Sequence, residues 1–239
     1  MQSAIIIPVR LASTRLPNKP LAIINGKTMI QRVYERAVQA NIGEVFIACD
    51  GEKIADEVKK FGANFIITDP NLPSGTDRIY QASTQLNREF DVIINLQGDL
   101  PNIDPNAIKS CLQALKNSNC DMATIASEIK DEAEILNPNV VKIAVAKNGN
   151  ALYFSRSPIP YSKDLKQQYL HHIGIYAYKI TTLREFVKLT PSPLEIRESL
   201  EQLRALENGF KIAVEIVDTV PLSVDTQHDL DKIIAITKN

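Results

Sequence analysis

Residues 3–21, SAIIIPVRLASTRLPNKPL, place an isoleucine-rich run directly before a loop loaded with positive charge. Ile5, Ile6 and Ile7 are β-branched and favour extended backbone, so the run predicts a strand with both faces buried. Arg10, Arg15 and Lys19 follow, with Ser13, Thr14 and two prolines and no acid. The bias continues through Lys27 and Arg32, and the first acid is Glu35. The chain as a whole has a formal net charge of −1 with 23% charged residues. The positive charge is therefore local, and composition gives no reason to expect nucleic acid or an anionic membrane as partner.

Outward from this stretch, apolar runs alternate with amphipathic segments. Strand patterns at 44–50 (EVFIACD), 64–69 (NFIITD) and 91–99 (DVIINLQGD) are separated by helical patterns over 28–39, 52–61 and 77–86. This βα alternation predicts an α/β fold: a Rossmann-like, mainly parallel sheet flanked by helices, with ligands bound beyond the carboxyl ends of the strands. The charged loop lies at that edge. After about residue 120 the strands lengthen, at 122–129, 140–146, 171–180 and 211–217, with helices over 194–205 and 227–236. The second part reads as a mixed α+β elaboration. No Gly/Ser-rich linker separates the halves, so the expectation is one domain over 1–239, with a nucleotide-binding half over roughly 1–120 and an elaboration over roughly 121–239.

Cys49, Cys111 and Cys120 have neither zinc-site nor disulfide-framework spacing, which points to a reducing compartment. No apolar run approaches the roughly 18–20 residues that cross a bilayer. A cytoplasmic protein is expected.

The motifs restrict the chemistry. Phosphate loops of the dinucleotide and Walker types need clustered glycines. Here the closest pair, Gly43 and Gly51, is eight positions apart. Any phosphate must then be held by side chains and N–H groups of RLASTRLPNK, where arginine forks and a lysine point charge suit the task; the alternative is an ordinary solvated loop. In NLQGDLP, residues 95–101, Asp99 ends a strand. It is either a turn residue or an oxygen ligand for magnesium. In SVDTQHD, residues 223–229, Thr226 and Asp229 have capping-box spacing, which leaves Asp225 unexplained. Asp99 and Asp225 are candidates to share a cation. Ser74 of SGTDR reads as a helix cap, or, with Gly75, as a contact to the edge of a base.

These segments, with NPNVVK, ALYFSRSPIPY, HIGIYAY, PSPLE and EQLRALENG in order along nearly the whole chain, resemble the cytidylyltransferases that activate 3-deoxy-D-manno-octulosonate (Kdo) for lipopolysaccharide. The resemblance implies a nucleotide-diphospho-sugar-transferase type of fold, a homodimer, CTP and Kdo as substrates, and Mg2+. It implies Arg10, Ser13, Arg15 and Lys19 around the triphosphate, Ser74 and Gly75 at the cytosine, and Asp99 and Asp225 on magnesium. Arg10, Lys19 and Asp99 form the catalytic set. For the sugar it implies Gln97, Arg156, His172, Tyr176, Glu201 and Gln202, with Arg156 gripping the carboxylate. The implied reaction is in-line attack of the sugar's anomeric 2-hydroxyl on the α-phosphorus, giving CMP-Kdo and pyrophosphate, with one metal ion or two.

Three positions depart from the family pattern: Leu100 follows Asp99 where an acid is usual, Gly51 stands where an acid follows the strand-end Asp50, and Leu72 replaces a polar residue. An 8-amino-Kdo or other acidic-sugar cytidylyltransferase is the alternative within enzymes. A nucleotide-binding regulatory module without turnover is the alternative outside them.

Overall fold

The computed structural model describes residues 1–163 and 168–237. In chain order the elements are β1 (Ser3–Val9), a short hairpin of β2 (Ile23–Ile24) and β3 (Lys27–Thr28), α1 (Met29–Ala40), β4 (Glu44–Cys49), α2 (Glu52–Lys60), β5 (Asn64–Ile67), α3 (Gly75–Thr84), β6 (Val92–Asn95) and α4 (Pro105–Lys116). Then come β7 (Met122–Glu128), α5 (Glu132–Leu136), β8 (Lys142–Val145), β9 (Ala151–Ser155), β10 (Leu170–Lys179), α6 (Ile180–Phe186), α7 (Pro193–Glu198), α8 (Gln202–Glu207), β11 (Ile212–Ile216) and α9 (Gln227–Ile236).

The chain divides into two units, one of residues 1–109 with 221–239, the other of residues 110–220. The change of pattern read near residue 120 thus falls at 109/110, and the last segment returns to the first unit. In that unit the strands run β6-β1-β4-β5, all parallel. Every residue of β1 is buried, as a strand covered on both faces requires. Ile5, Ile6, Ile7, Val33, Ile47, Ile93 and Ile94 form its fully buried core. Gly43 lets β4 start beside β1: a Cβ there would lie 1.9 Å from the Ser3 carbonyl oxygen. Since β4 lies on one side of β1 and β6 on the other, the crevice beyond β1 and β6 is a topological switch point.

The second unit is mixed. Strand β11 pairs β7 in parallel, while β7–β10, β10–β8 and β8–β9 are antiparallel. Several elements differ from the sequence-based assignment. The helix expected over 194–205 is two, because Ser199 takes the left-handed conformation (φ 54°) and ends α7. The β2–β3 hairpin, helices α4, α5 and α6 and strand β9 were not anticipated.

Candidate active site

Strand β1 delivers Arg10 and the basic loop to the carboxyl edge of its sheet, and β6 delivers Gln97, Gly98 and Asp99 to the same edge. The two segments wall a cavity of about 680 Å³ that is also lined by Ser13, Arg15, Lys19, Ser74, Gly75 and Asp225. The first unit therefore gathers every nucleotide and metal candidate, together with Gln97. Gly98 permits the close packing, since a Cβ would sit 3.2 Å from the Pro8 carbonyl oxygen.

The loop is not free to wander. Leu16 is buried in a cluster with Ile24, Met29, Val224, Leu230 and Ile233, which fixes the loop against the segment that carries Asp225. The Lys19 N–H donates to Leu16 O at 3.1 Å, and the buried Pro20 follows. The segment with Asp225 is tied in turn to the turn with Asp99: Val224 N–H donates to Asp99 O at 3.0 Å, and Leu222 N–H to Asn102 Oδ1 at 3.0 Å. The capping box forms as its spacing predicts. Asp229 Oδ2 accepts from the N–H groups of Asp225 (3.2 Å) and Thr226 (2.9 Å), so Asp225 has its backbone fixed and its carboxylate available.

The result is a charge cluster. Lys19 Nζ donates to Asp99 Oδ2 at 2.8 Å and to Asp225 Oδ1 at 2.9 Å, and Arg15 Nη2 lies 3.2 Å from the same Asp225 oxygen. Burial alone would lower the Lys19 ammonium, but the Asp99 and Asp225 carboxylates outweigh it and hold its pKa above the ordinary value. Two carboxylates converging on one cation position are a donor set that suits a divalent, oxygen-seeking ion, with phosphate oxygens and water completing its shell. Among the described residues no three His, Cys, Asp or Glu side chains gather as a metal group, so such an ion would depend on substrate ligands.

Ser74 behaves as a cap: its Oγ accepts from Thr76 N (3.1 Å) and Asp77 N (3.2 Å) and donates to Asp77 Oδ2 (2.7 Å). With the hydroxyl so engaged, any reading of a base here falls to the backbone at Gly75, where a Cβ would already touch the Pro8 ring at 3.4 Å.

The remaining sugar candidates lie in the second unit. His172 is buried, its ring edge-on to Phe154 at 4.9 Å and 5.4 Å from Tyr176, with Nε2 3.1 Å from Thr124 Oγ1. A bulge in β10 between Ile173 and Tyr176 bends the strand there. Burial, and then the neighbouring His171, push the His172 pKa down to about 3, so the ring is neutral. Tyr176 Oη and Gln202 Nε2 are buried and meet no partner among the described residues. Buried polar groups in native proteins are ordinarily satisfied, so these two stand out as candidate ligand contacts. Glu201 precedes α8, half-exposed, 3.9 Å from Arg204.

Arg156 is more committed than its sequence context suggests. Its Nε donates to Glu198 O (2.8 Å), Nη1 to Pro138 O (2.9 Å) and Nη2 to Ser199 O (3.4 Å), while its backbone N–H donates to Glu198 Oε2 (2.9 Å). It clasps the end of α7 to the 137–139 turn, and only its remaining N–H groups are left for a sugar carboxylate.

A cytidylyltransferase family model matches residues 4–212. The 3-deoxy-manno-octulosonate cytidylyltransferase of Bartonella bacilliformis is 49% identical, over 98% of this chain and 97% of its own. The chain belongs to the 3-deoxy-manno-octulosonate cytidylyltransferase family. It is accordingly a nucleotidyltransferase. A solved CMP:2-keto-3-deoxy-manno-octonic acid synthetase complexed with CTP is similar at TM-score 0.94 and 42% identity, covering 99% of this chain and 98% of that one. A 4-diphosphocytidyl-2C-methyl-D-erythritol synthase from Anaerococcus prevotii, 12% identical with TM-score 0.67 over 100% of this chain and 99% of that one, shares the fold alone.

Within this cytidylyltransferase the three departures find places. Leu100 is buried, 6% exposed, and Leu72 lines the cavity. Gly51 precedes α2 with open space where a Cβ would be, so no steric demand selects glycine there. Three residues went unread in the sequence. Arg78, 3% exposed, lines the cavity and donates to Thr68 Oγ1; burial lowers its pKa against the opposing pull of Asp50. It stands one helical turn after Ser74, which was the available signal. Asp50 accepts from Leu11 N–H at 2.9 Å and fixes the start of the basic loop. Lys142 is fully buried, and its Nζ donates to the carbonyls of Asn137 (2.9 Å), Val140 (2.6 Å) and Arg156 (2.6 Å).

Proposed function

We propose that this chain transfers CMP from CTP to the anomeric 2-hydroxyl of Kdo, releasing pyrophosphate and supplying CMP-Kdo for lipopolysaccharide. The observation that carries the reading is the convergence of Asp99 and Asp225 on one cation position inside a cavity walled by Arg10, Arg15 and Lys19. Family membership supports CTP and Kdo as the substrates.

In this reading Arg10, Ser13, Arg15 and Lys19 hold the triphosphate, the start of α3 at Ser74 and Gly75 receives the cytosine, and the cations stabilise charge on the departing pyrophosphate. Asp99 and Asp225 hold Mg2+. When bound, the ion supplies positive charge to the phosphates and to the attacking oxygen. Asp99 orients the hydroxyl and accepts its proton. Gln97, Tyr176, Glu201 and Gln202 bind sugar hydroxyls, His172 contributes as a neutral ring, and Arg156 offers its remaining N–H groups to the carboxylate. We place the enzyme in the cytoplasm as a homodimer. All three cysteines are free and buried, and no helix among the described residues is long and apolar enough to cross a membrane.

The test is pyrophosphate release with CTP, UTP, ATP and GTP, each against Kdo, 8-amino-Kdo and other acidic sugars. Turnover confined to CTP with Kdo is expected. A preference for another sugar would reassign the acceptor, and nucleotide binding without release in any pairing would leave a regulatory module.

A further inference from the structure

We propose that Lys19 is the internal counter-ion of the Asp99–Asp225 pair, keeping a free divalent cation out of the site until a nucleotide triphosphate draws the ammonium away. The proposal rests on the function argued above and adds an order to its binding events.

Lys19 Nζ has three donors, and two meet the acids, at 2.8 Å on Asp99 Oδ2 and 2.9 Å on Asp225 Oδ1. Arg15 adds a second cation at 3.2 Å from the same Asp225 oxygen. Two negative charges are thus balanced by two positive charges of the basic loop. A metal ion must compete for these oxygens with cations tethered to the same chain, whose effective concentration is high. The tether is short and well fixed, because buried Leu16 packs with Val224 and Leu230 on either side of Asp225, and the Lys19 side chain is itself only 18% exposed.

Lys19 also lines the cavity alongside Arg10 and Ser13, where a triphosphate would present a denser negative charge than the two carboxylates. An ammonium on a flexible stem can move from carboxylate to phosphate oxygens by rotation about its own bonds. Its transfer uncovers the two carboxylates at the moment when phosphate oxygens arrive to complete a metal's shell. Nucleotide and metal then bind with positive coupling, each raising the affinity for the other. A lysine that served only as a permanent phosphate contact would leave metal affinity in the nucleotide-free protein indifferent to its removal.

Mn2+ reports on a magnesium site through its paramagnetic resonance, so the experiment titrates Mn2+ into the nucleotide-free full chain. Lys19→Met is expected to tighten Mn2+ binding by about tenfold or more, the size expected for freeing a charge-assisted contact. Lys19→Arg should stay near the unmodified chain, and adding Asp225→Asn to Lys19→Met should abolish the gain. Calorimetry without metal should show CTP binding weakened in Lys19→Met. One substitution would then move two affinities in opposite directions, which loss of fold does not do. Mn2+ binding in Lys19→Met that is unchanged or weaker overturns the proposal. Should Lys19→Met lose its helical circular dichroism, Lys19→Gln takes its place under the same criterion. The titration contains neither nucleotide nor sugar, so its outcome is independent of the substrate panel.

Discussion

Tyr176 buries a hydroxyl that meets no partner among the described residues. Leaving such a group unsatisfied costs about 1–3 kcal/mol. Tyr176→Phe should therefore leave the melting temperature of the free protein unchanged or higher, while the KM for Kdo rises about tenfold. Steady-state kinetics with thermal denaturation checks both; a lower melting temperature with an unchanged KM would give the hydroxyl an internal role. Single residues were unevenly legible in the sequence. Asp225 could be singled out because Thr226 and Asp229 account for the cap without it, and the structure places its carboxylate beside Lys19. Lys142 escaped because burial of a cation leaves no mark in a sequence: it reads as an ordinary polar position until its carbonyl partners are visible, whereas Arg78 carried one unread signal, its place one helical turn after Ser74.

Helices α7 and α8 present the Glu201–Gln202 pair, and their join depends on a buried ion pair. Arg204 donates from Nε to Glu195 Oε2 at 2.7 Å and from Nη2 to Oε1, both side chains are about nine-tenths covered, and the guanidinium lies 5.0 Å from the centre of the Phe186 ring. Burial would raise the Glu195 carboxyl, but Arg204 and the Ser192 N–H hold its pKa below the ordinary value. Glu195→Gln removes the two close ionic contacts of the buried Arg204 charge and leaves it the half-exposed Glu201 at 3.9 Å, so stability should fall by about 3 kcal/mol and the melting temperature by roughly 6–12 °C. Denaturant titration checks this, and a loss under about 1 kcal/mol would show the pair to be solvent-screened. At this scale the parallel strands were the most legible part, because two-sided burial writes continuous apolar runs such as that of β1. The break at Ser199 was not, since helical periodicity continues across it and serine seldom adopts positive φ. Helix α4 was legible and unread: Asp104 accepts from Asn106 N–H at 2.8 Å and Pro105 opens the helix, a start signal present in the sequence.

For the whole molecule, stability should decline on the acid side in two stages. His171 and His172 have pKa values lowered by burial from 6.5 to about 4 and about 3. The folded chain keeps both neutral while the unfolded chain protonates them below about 6.5, so their contribution is complete above that pH and is lost as pH falls toward 4 and then 3. Glu195 and Asp229, with pKa values held below the ordinary 4.5 and 3.8, contribute above those values and lose that contribution as pH falls through their depressed ones. Urea midpoints should therefore drop between pH 6.5 and 5, above the range in which Glu195 and Asp229 lose their contribution, and His172→Gln should flatten that first stage. An unaltered slope in the variant would assign the first stage to other groups.

The central claim, that Asp99 and Asp225 hold one cation and act as a single unit in CMP transfer, is tested most directly by single-turnover formation of CMP-Kdo across a magnesium titration. Asp99→Asn and Asp225→Asn should each remove most of the rate and raise the magnesium requirement. The double variant should lose little more, because residues serving one ion are strongly non-additive, and circular dichroism should show all three folded. Multiplicative losses in the double variant, with the magnesium requirement unchanged in either single variant, would contradict the account.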